Sequence, residues 1–158
     1  MNHKTTPLGR LILFIVCLYM FSGALSAFGK DYSQREVIAM TILGEARGEG
    51  ERGMYAVATT ISQRMKNRAL TGKKVCLEPW QFSCWNKNDP NRAKLPTLLR
   101  NSPQRHYALR LADNISRLDR SYTKNADHYI HKNSKKPKHL RGKKPVIVIG
   151  AHAFYKLR

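Results

Sequence analysis

The chain has 158 residues, enough for one domain with a sizeable core and too few for two well-buried ones. Its 29 lysines and arginines stand against 10 acids, a net charge of +19. That surplus exceeds what solubility asks and points to a polyanionic partner.

The first 27 residues do not belong to the domain. Met1 to Arg10 is polar and carries Lys4 and Arg10 with no acid. Leu11 to Phe21 is an unbroken apolar run, and Ser22 to Ala27 supplies small residues. A basic head, an apolar middle and a small-residue exit make a secretory signal peptide. Ala24 and Ser26 fit the small positions of a cleavage site, and a cut after Ala27 is the alternative. The apolar run is shorter than a spanning helix requires, which counts against an uncleaved anchor. Cys17 lies inside the run without small residues before it, so it does not mark a lipid-attachment box. Export leaves residues 28–158 as the mature domain, with 27 basic residues against 10 acids, a net of +17. Outside the cytoplasm the polyanion of choice is the bacterial wall, and nucleic acid is not expected.

Ser33 and Glu36 form an S-x-x-E capping box before an apolar run. Val37, Ile38, Thr41 and Ala46 continue a helical stripe to about Arg47, and Gly48 and Gly50 punctuate its end. A second helix is predicted over Glu51–Arg68, with Met54, Val57, Ala58, Ile61 and Met65 on one face. Residues 69–102 read as a long irregular segment containing Gly72, Pro79, Pro90 and Pro96. A loop of that length needs bracing or a ligand. In an oxidising compartment a disulfide between Cys76 and Cys84 would supply the brace. A third helix follows Ser102-Pro103, burying Ala108, Leu111, Ala112 and Ile115. His128–His131 is a strand, 132–144 a basic loop, Pro145–Ile149 a β-branched strand, Gly150-Ala151 a turn and His152–Tyr155 a last strand. The layout is α+β in a small single domain, helices first and a short antiparallel sheet near the C-terminus.

Three clusters carry chemistry. In Gly44-Glu45-Ala46-Arg47-Gly48-Glu49-Gly50 two carboxylates lie four apart near a helix end. A carboxylic acid against an apolar helix face is held towards its protonated form, which protonating a glycosidic oxygen requires. The plain alternative is a solvated helix end in which Arg47 pairs with an acid. The second cluster is Trp80, Gln81, Phe82, Trp85 and Asn86. Its aromatics suit the wall of a sugar groove or, equally, a core. The third is His128, Tyr129, His131, His152 and Tyr155. The two histidines of the first strand point to opposite faces, and the cysteines lack zinc-knuckle spacing, so no metal is expected.

Taken in order, GEARGE, then Gln63-Arg64-Met65-Lys66, then Pro79-x-Gln81-Phe82-Ser83, a tyrosine-containing strand and Ile149-Gly150-x-His152-x-Phe154-Tyr155 resemble the SleB/CwlJ family of cell-wall hydrolases. The resemblance runs from about Val37 to Tyr155, and the cysteine pair resembles the branch that carries two cysteines. It implies a lysozyme-like α+β fold and cleavage of the MurNAc–GlcNAc bond in peptidoglycan glycan strands. It also implies that Glu45, the first glutamate of GEARGE, is the catalytic acid/base. Substrate contacts are expected from Glu49, Gln81, Phe82, Trp85, Asp127, His128, Tyr129 and His152. Asp127, His128 and Tyr129 match the family's tyrosine-rich strand beside the cleft. The chain departs from many relatives in having no tryptophan in KPKHLRGKKPV. The lysines there would attract an anionic polymer instead of stacking on it.

One acid/base glutamate suits a lytic transglycosylase, because the nucleophile lies within the substrate. A hydrolase more often needs a second carboxylate, for which Glu49 and Asp127 are candidates. No cofactor is expected, and the protein is expected to act as a monomer. Two other readings compete: a cysteine peptidase or amidase using Cys84, and a non-enzymatic module whose lysine-rich 132–144 segment binds an anionic polymer.

Overall fold

The computed structural model describes residues 31–158, so residues 1–27, the segment expected to be a signal peptide, lie outside the described residues. Helix α1 (Gln34–Ala46) opens on the expected capping box. Ser33 Oγ accepts from the Glu36 amide at 3.2 Å, and Glu36 Oε2 accepts from the Ser33 amide at 2.8 Å. From Val37 to Leu43 no residue is accessible to solvent. A helix apolar on every side must be surrounded. Helix α2 (Gly50–Arg68), α3 (Gly72–Leu77), α4 (Leu95–Asn101) and α5 (Arg105–Asp113) all pack on α1. The expected stripe is therefore a whole circumference, and each large side chain on it contributes about 1.5–3 kcal/mol by burial.

Residues 69–102 differ from the irregular loop expected. They hold α3, α4 and single 3₁₀ turns at Ser83–Trp85 and Arg92–Lys94. Thr71 caps α3 by accepting from the Lys74 amide, and Pro96 sits in the first turn of α4. These helices are too short to show a period, which is why the pattern missed them. Val75, Cys76, Phe82, Cys84 and Leu95 turn into the main core and brace the segment. Cys76 and Cys84 are free buried thiols here, not the expected disulfide. The apolar packing already fixes the conformation the bridge was expected to fix.

The chain ends in a sheet of order β1-β3-β2, antiparallel throughout, from β1 (His128–His131), β2 (Ile147–Ile149) and β3 (His152–Tyr155). Register pairs Tyr129 with Phe154 and His131 with His152, and side chains alternate between faces. One face therefore carries Tyr129, Phe154, His152 and His131, with Ile147 and Ile149. The other carries His128, Ile130, Ala153 and Tyr155. On that second face Leu140 is buried against Ala153 and Tyr155, so the basic 132–144 loop folds back over it. Among the described residues no helix is long and apolar enough to cross a membrane.

Candidate active site

Glu45 lies in the last turn of α1, half-buried, with its carboxylate held by two other parts of the chain. The Cys84 amide donates to Oε1 at 2.9 Å and the Ser83 hydroxyl to the same oxygen at 3.2 Å. The Tyr129 hydroxyl donates to Oε2 at 3.0 Å. Helix end, 3₁₀ turn and first strand thus converge on one acid. Burial first, and then the Glu45 charge, push the Tyr129 phenol well above its ordinary value, so it stays a donor across the working pH range. Arg47 does not pair with either glutamate. It donates to the carbonyls of Leu43 and Gly44 at the helix end and to Asn91 at 3.0 Å.

The approach of the 83–85 turn depends on Gly44. A Cβ there would stand 2.8 Å from Cys84 Cβ and 2.9 Å from Leu95 Cδ2, inside van der Waals contact. Gly44→Ala is expected to push the turn off Glu45, cost about 1–3 kcal/mol by overpacking and lower activity more than stability. Denaturant melts beside turnover on peptidoglycan check this. A variant with wild-type stability and rate would show that the close approach is dispensable.

The second glutamate serves a different purpose. Glu49 Oε2 accepts from the Ala151 amide at 2.7 Å, in the turn between β2 and β3. Gly150 there has φ +60, and a Cβ on it would stand 2.1 Å from Glu49 Oε2. Glu49 therefore anchors the hairpin turn to the start of α2.

Asp127 is buried and its carboxylate is fully engaged. Oδ1 meets His128 Nδ1 at 2.9 Å and the Leu157 amide at 2.8 Å, while Oδ2 accepts from Asn67 at 3.2 Å. Burial alone would raise its pKa, but the hydrogen bonds from His128 and Leu157 outweigh it and hold the carboxyl below its ordinary value. His128 lies on the far face of the sheet, its ring 5.6 Å from His139, and not beside Glu45. Strand alternation makes this unavoidable once Tyr129 faces the acid.

His152 is on the Glu45 face. Its ring centroid is 5.0 Å from that of Tyr129, and its buried Nδ1 has no hydrogen-bond partner. The His128 and His152 pKa values are both lowered, in each case first because burial penalises the charged ring. The unfolded chain then binds protons at a higher pH than the folded one. Stability is full above about pH 6.5 and falls as the pH drops below it towards the folded values. Asp127 adds a second loss in more acid solution, as the pH falls below about 4 towards its depressed folded value. Urea midpoints measured across this range are expected to fall with acidification, and a flat midpoint between about pH 7 and 5 would contradict these shifts.

The aromatic loop divides. Phe82 is a core residue with 1% exposure, under the Arg64 guanidinium at 4.6 Å, and is not a groove wall. Gln81 is taken up by arginines: Arg64 donates to its carbonyl at 3.1 Å and Arg68 to its side-chain Oε1 at 2.9 Å. Trp85 packs against the core and donates its indole N–H to Thr41 at 2.8 Å. Trp80, by contrast, is 80% exposed. Burial pushes the Cys84 thiol well above its ordinary value and that of Cys76 up to about 12, the reverse of what a nucleophilic thiolate needs. That weighs against the cysteine-peptidase reading.

Ser83, the Cys84 amide and Arg64 belong to the site's framework; in the sequence Ser83 and Arg64 stand only as members of the motifs and Cys84 only as a thiol, with no sign of the bonds they make. A backbone donor leaves no trace in residue type. Arg64 does leave one, as a cation on the apolar side of the α2 wheel. A cavity lined by Ser62, Met65, Leu70 and Arg120 lies elsewhere and includes none of the candidate site residues. Among the described residues no group of three histidines, cysteines or acids could hold a metal ion.

The family model for cell wall hydrolases, the SleB family, matches residues 48–155, from just after Glu45 to the end of β3. No curated protein and no solved structure matches the chain. The chain belongs to the cell wall hydrolase family, whose substrate is peptidoglycan.

Proposed function

We propose that this protein cuts peptidoglycan glycan strands at the MurNAc–GlcNAc bond as a lytic transglycosylase, with Glu45 as the sole acid/base. The observation that carries the reading is the convergence of Cys84 N–H, Ser83 O–H and Tyr129 O–H on the Glu45 carboxylate. In the proposed cycle protonated Glu45 donates to the leaving GlcNAc oxygen as the bond from MurNAc C1 breaks. The carboxylate then takes the proton of the MurNAc 6-hydroxyl, whose oxygen bonds to C1 and closes an anhydro ring. The phenol and the serine hydroxyl can each donate or accept, so both can follow Glu45 through its two protonation states.

A hydrolytic, two-carboxylate route would need a second acid, and both candidates are engaged elsewhere. Glu49 is committed to the Ala151 amide and Asp127 to His128, Leu157 and Asn67. These bonds give both carboxylates structural roles, which favours the one-carboxylate route. The leader over 1–27 supports export to the wall, with 28–158 as a monomeric catalytic domain. The basic 132–144 loop suits an anionic wall polymer. Mass spectrometry of products from purified sacculi tests the chemistry: anhydro-MurNAc ends are expected. Reducing ends alone would overturn the transglycosylase outcome, and no glycan release would overturn the activity.

A further inference from the structure

We infer that Trp80 is a stacking platform for a sugar ring of the glycan strand, displayed from a clamped turn beside the acid. This rests on the glycan-cleaving reading above and adds a binding residue to it.

The backbone makes the case. The Gln81 amide donates to the Glu78 carbonyl at 3.2 Å, closing a four-residue turn with Pro79 second and Trp80 third. Trp80 has φ +65, the left-handed conformation that the third position of such a turn ordinarily gives to glycine. A bulky aromatic there is disfavoured, and it persists only where the surroundings over-determine it. Both shoulders of the turn are held by one side chain. Arg68 pairs with Glu78 Oε2 and donates to Gln81 Oε1 at 2.9 Å, while Arg64 binds the Gln81 carbonyl. The arginines thus hold the turn at both ends, and the indole it carries is 80% exposed.

Position gives the indole its partner. Trp80 precedes Ser83 by three residues, so their Cα atoms lie within about 11 Å of each other, a span of a few sugar rings. Ser83 bonds the Glu45 carboxylate. The C–H-rich face of a pyranose ring covers an indole face through dispersion and loss of apolar hydration. The two other aromatics of the loop are unsuited: Phe82 is buried, and the Trp85 indole is packed on the core with its N–H on Thr41. The polar framework around Glu45 would read the reacting bond, and Trp80 would hold the strand on either register of it.

The test uses the full chain with Glu45→Gln as an uncleaving background, comparing its binding to purified sacculi with and without Trp80→Gly. Glycine suits the turn, so a Tm unchanged or a few degrees higher is expected, with binding about three- to tenfold weaker. Undiminished binding overturns the proposal. A Tm that drops with the affinity also overturns it, because Trp80 would then be a packing residue. So does Trp80-dependent binding to phosphatidylglycerol vesicles with none to sacculi. If Glu45→Gln alone still cleaved sacculi, the glycan-cleaving mechanism would fall while the binding comparison still judged Trp80.

Discussion

Glu45→Gln is expected to abolish measurable release of glycan fragments from sacculi, a loss of about 10²–10⁴-fold from the missing proton transfer alone. The substitution is nearly isosteric. A glutamine oxygen still accepts from the Cys84 amide and the Ser83 hydroxyl, and its NH₂ can donate to the Tyr129 oxygen. The turn, the strand and the helix end therefore keep their places, and the melting curve should match wild type. What disappears is the capacity to give a proton to a leaving oxygen and take one from a hydroxyl. Retained turnover with an intact fold would remove Glu45 from the chemistry. Loss of both turnover and stability would mean that the carboxylate is structural.

Arg64→Ala is expected to give the largest loss of stability, about 3–5 kcal/mol, from a lost large side chain and two stranded carbonyls. Arg64 is almost fully buried in α2. Its Nε donates to the Asp127 carbonyl at 2.6 Å, its Nη1 to the Gln81 carbonyl at 3.1 Å, and its guanidinium covers Phe82. One side chain thus ties the strand that carries Tyr129 to the loop that carries Ser83 and Cys84. Burial lowers its pKa, but a guanidinium keeps its charge even so. Arg64→Lys should recover only part of the loss, because an ammonium cannot span both carbonyls in the same plane. Urea unfolding measures both variants, and a loss below about 1 kcal/mol for the alanine variant would show the two carbonyls satisfied some other way. The loss would take a large share of an ordinary domain's total stability. Any residual activity is expected to fall further than the folded fraction, since both sides of the site lose their common anchor.

Arg64 also shows where reading a sequence runs out. The capping box at Ser33 and Glu36, the span of α2, the helix after Pro103 and the strands at His128 and His152 were all legible. Each is announced locally, by a cap, a period of 3.6 or an alternation of 2. The α+β class follows from their order, and the acid, the loop and the strand could be named as three clusters because the motifs are contiguous. The sheet faces were legible too, since alternation sends His128 to the far face once Tyr129 is set towards the acid.

The sequence by itself determined the two long helices, the helix after Pro103 and the closing strands, their order, the excess of positive charge and the glutamate at the end of α1; the short helices of residues 69–102 left no readable period. Only the tertiary structure decided which polar groups meet. It turned Phe82 into the core, committed Glu49 to the hairpin turn and Asp127 to three donors, left the two cysteines as packed thiols, and brought a backbone amide and a serine to Glu45. The physical reason is range. Helix and strand periods are fixed by neighbours a few residues apart. The partners of a buried polar group lie tens of residues away, and close packing of the whole chain chooses them.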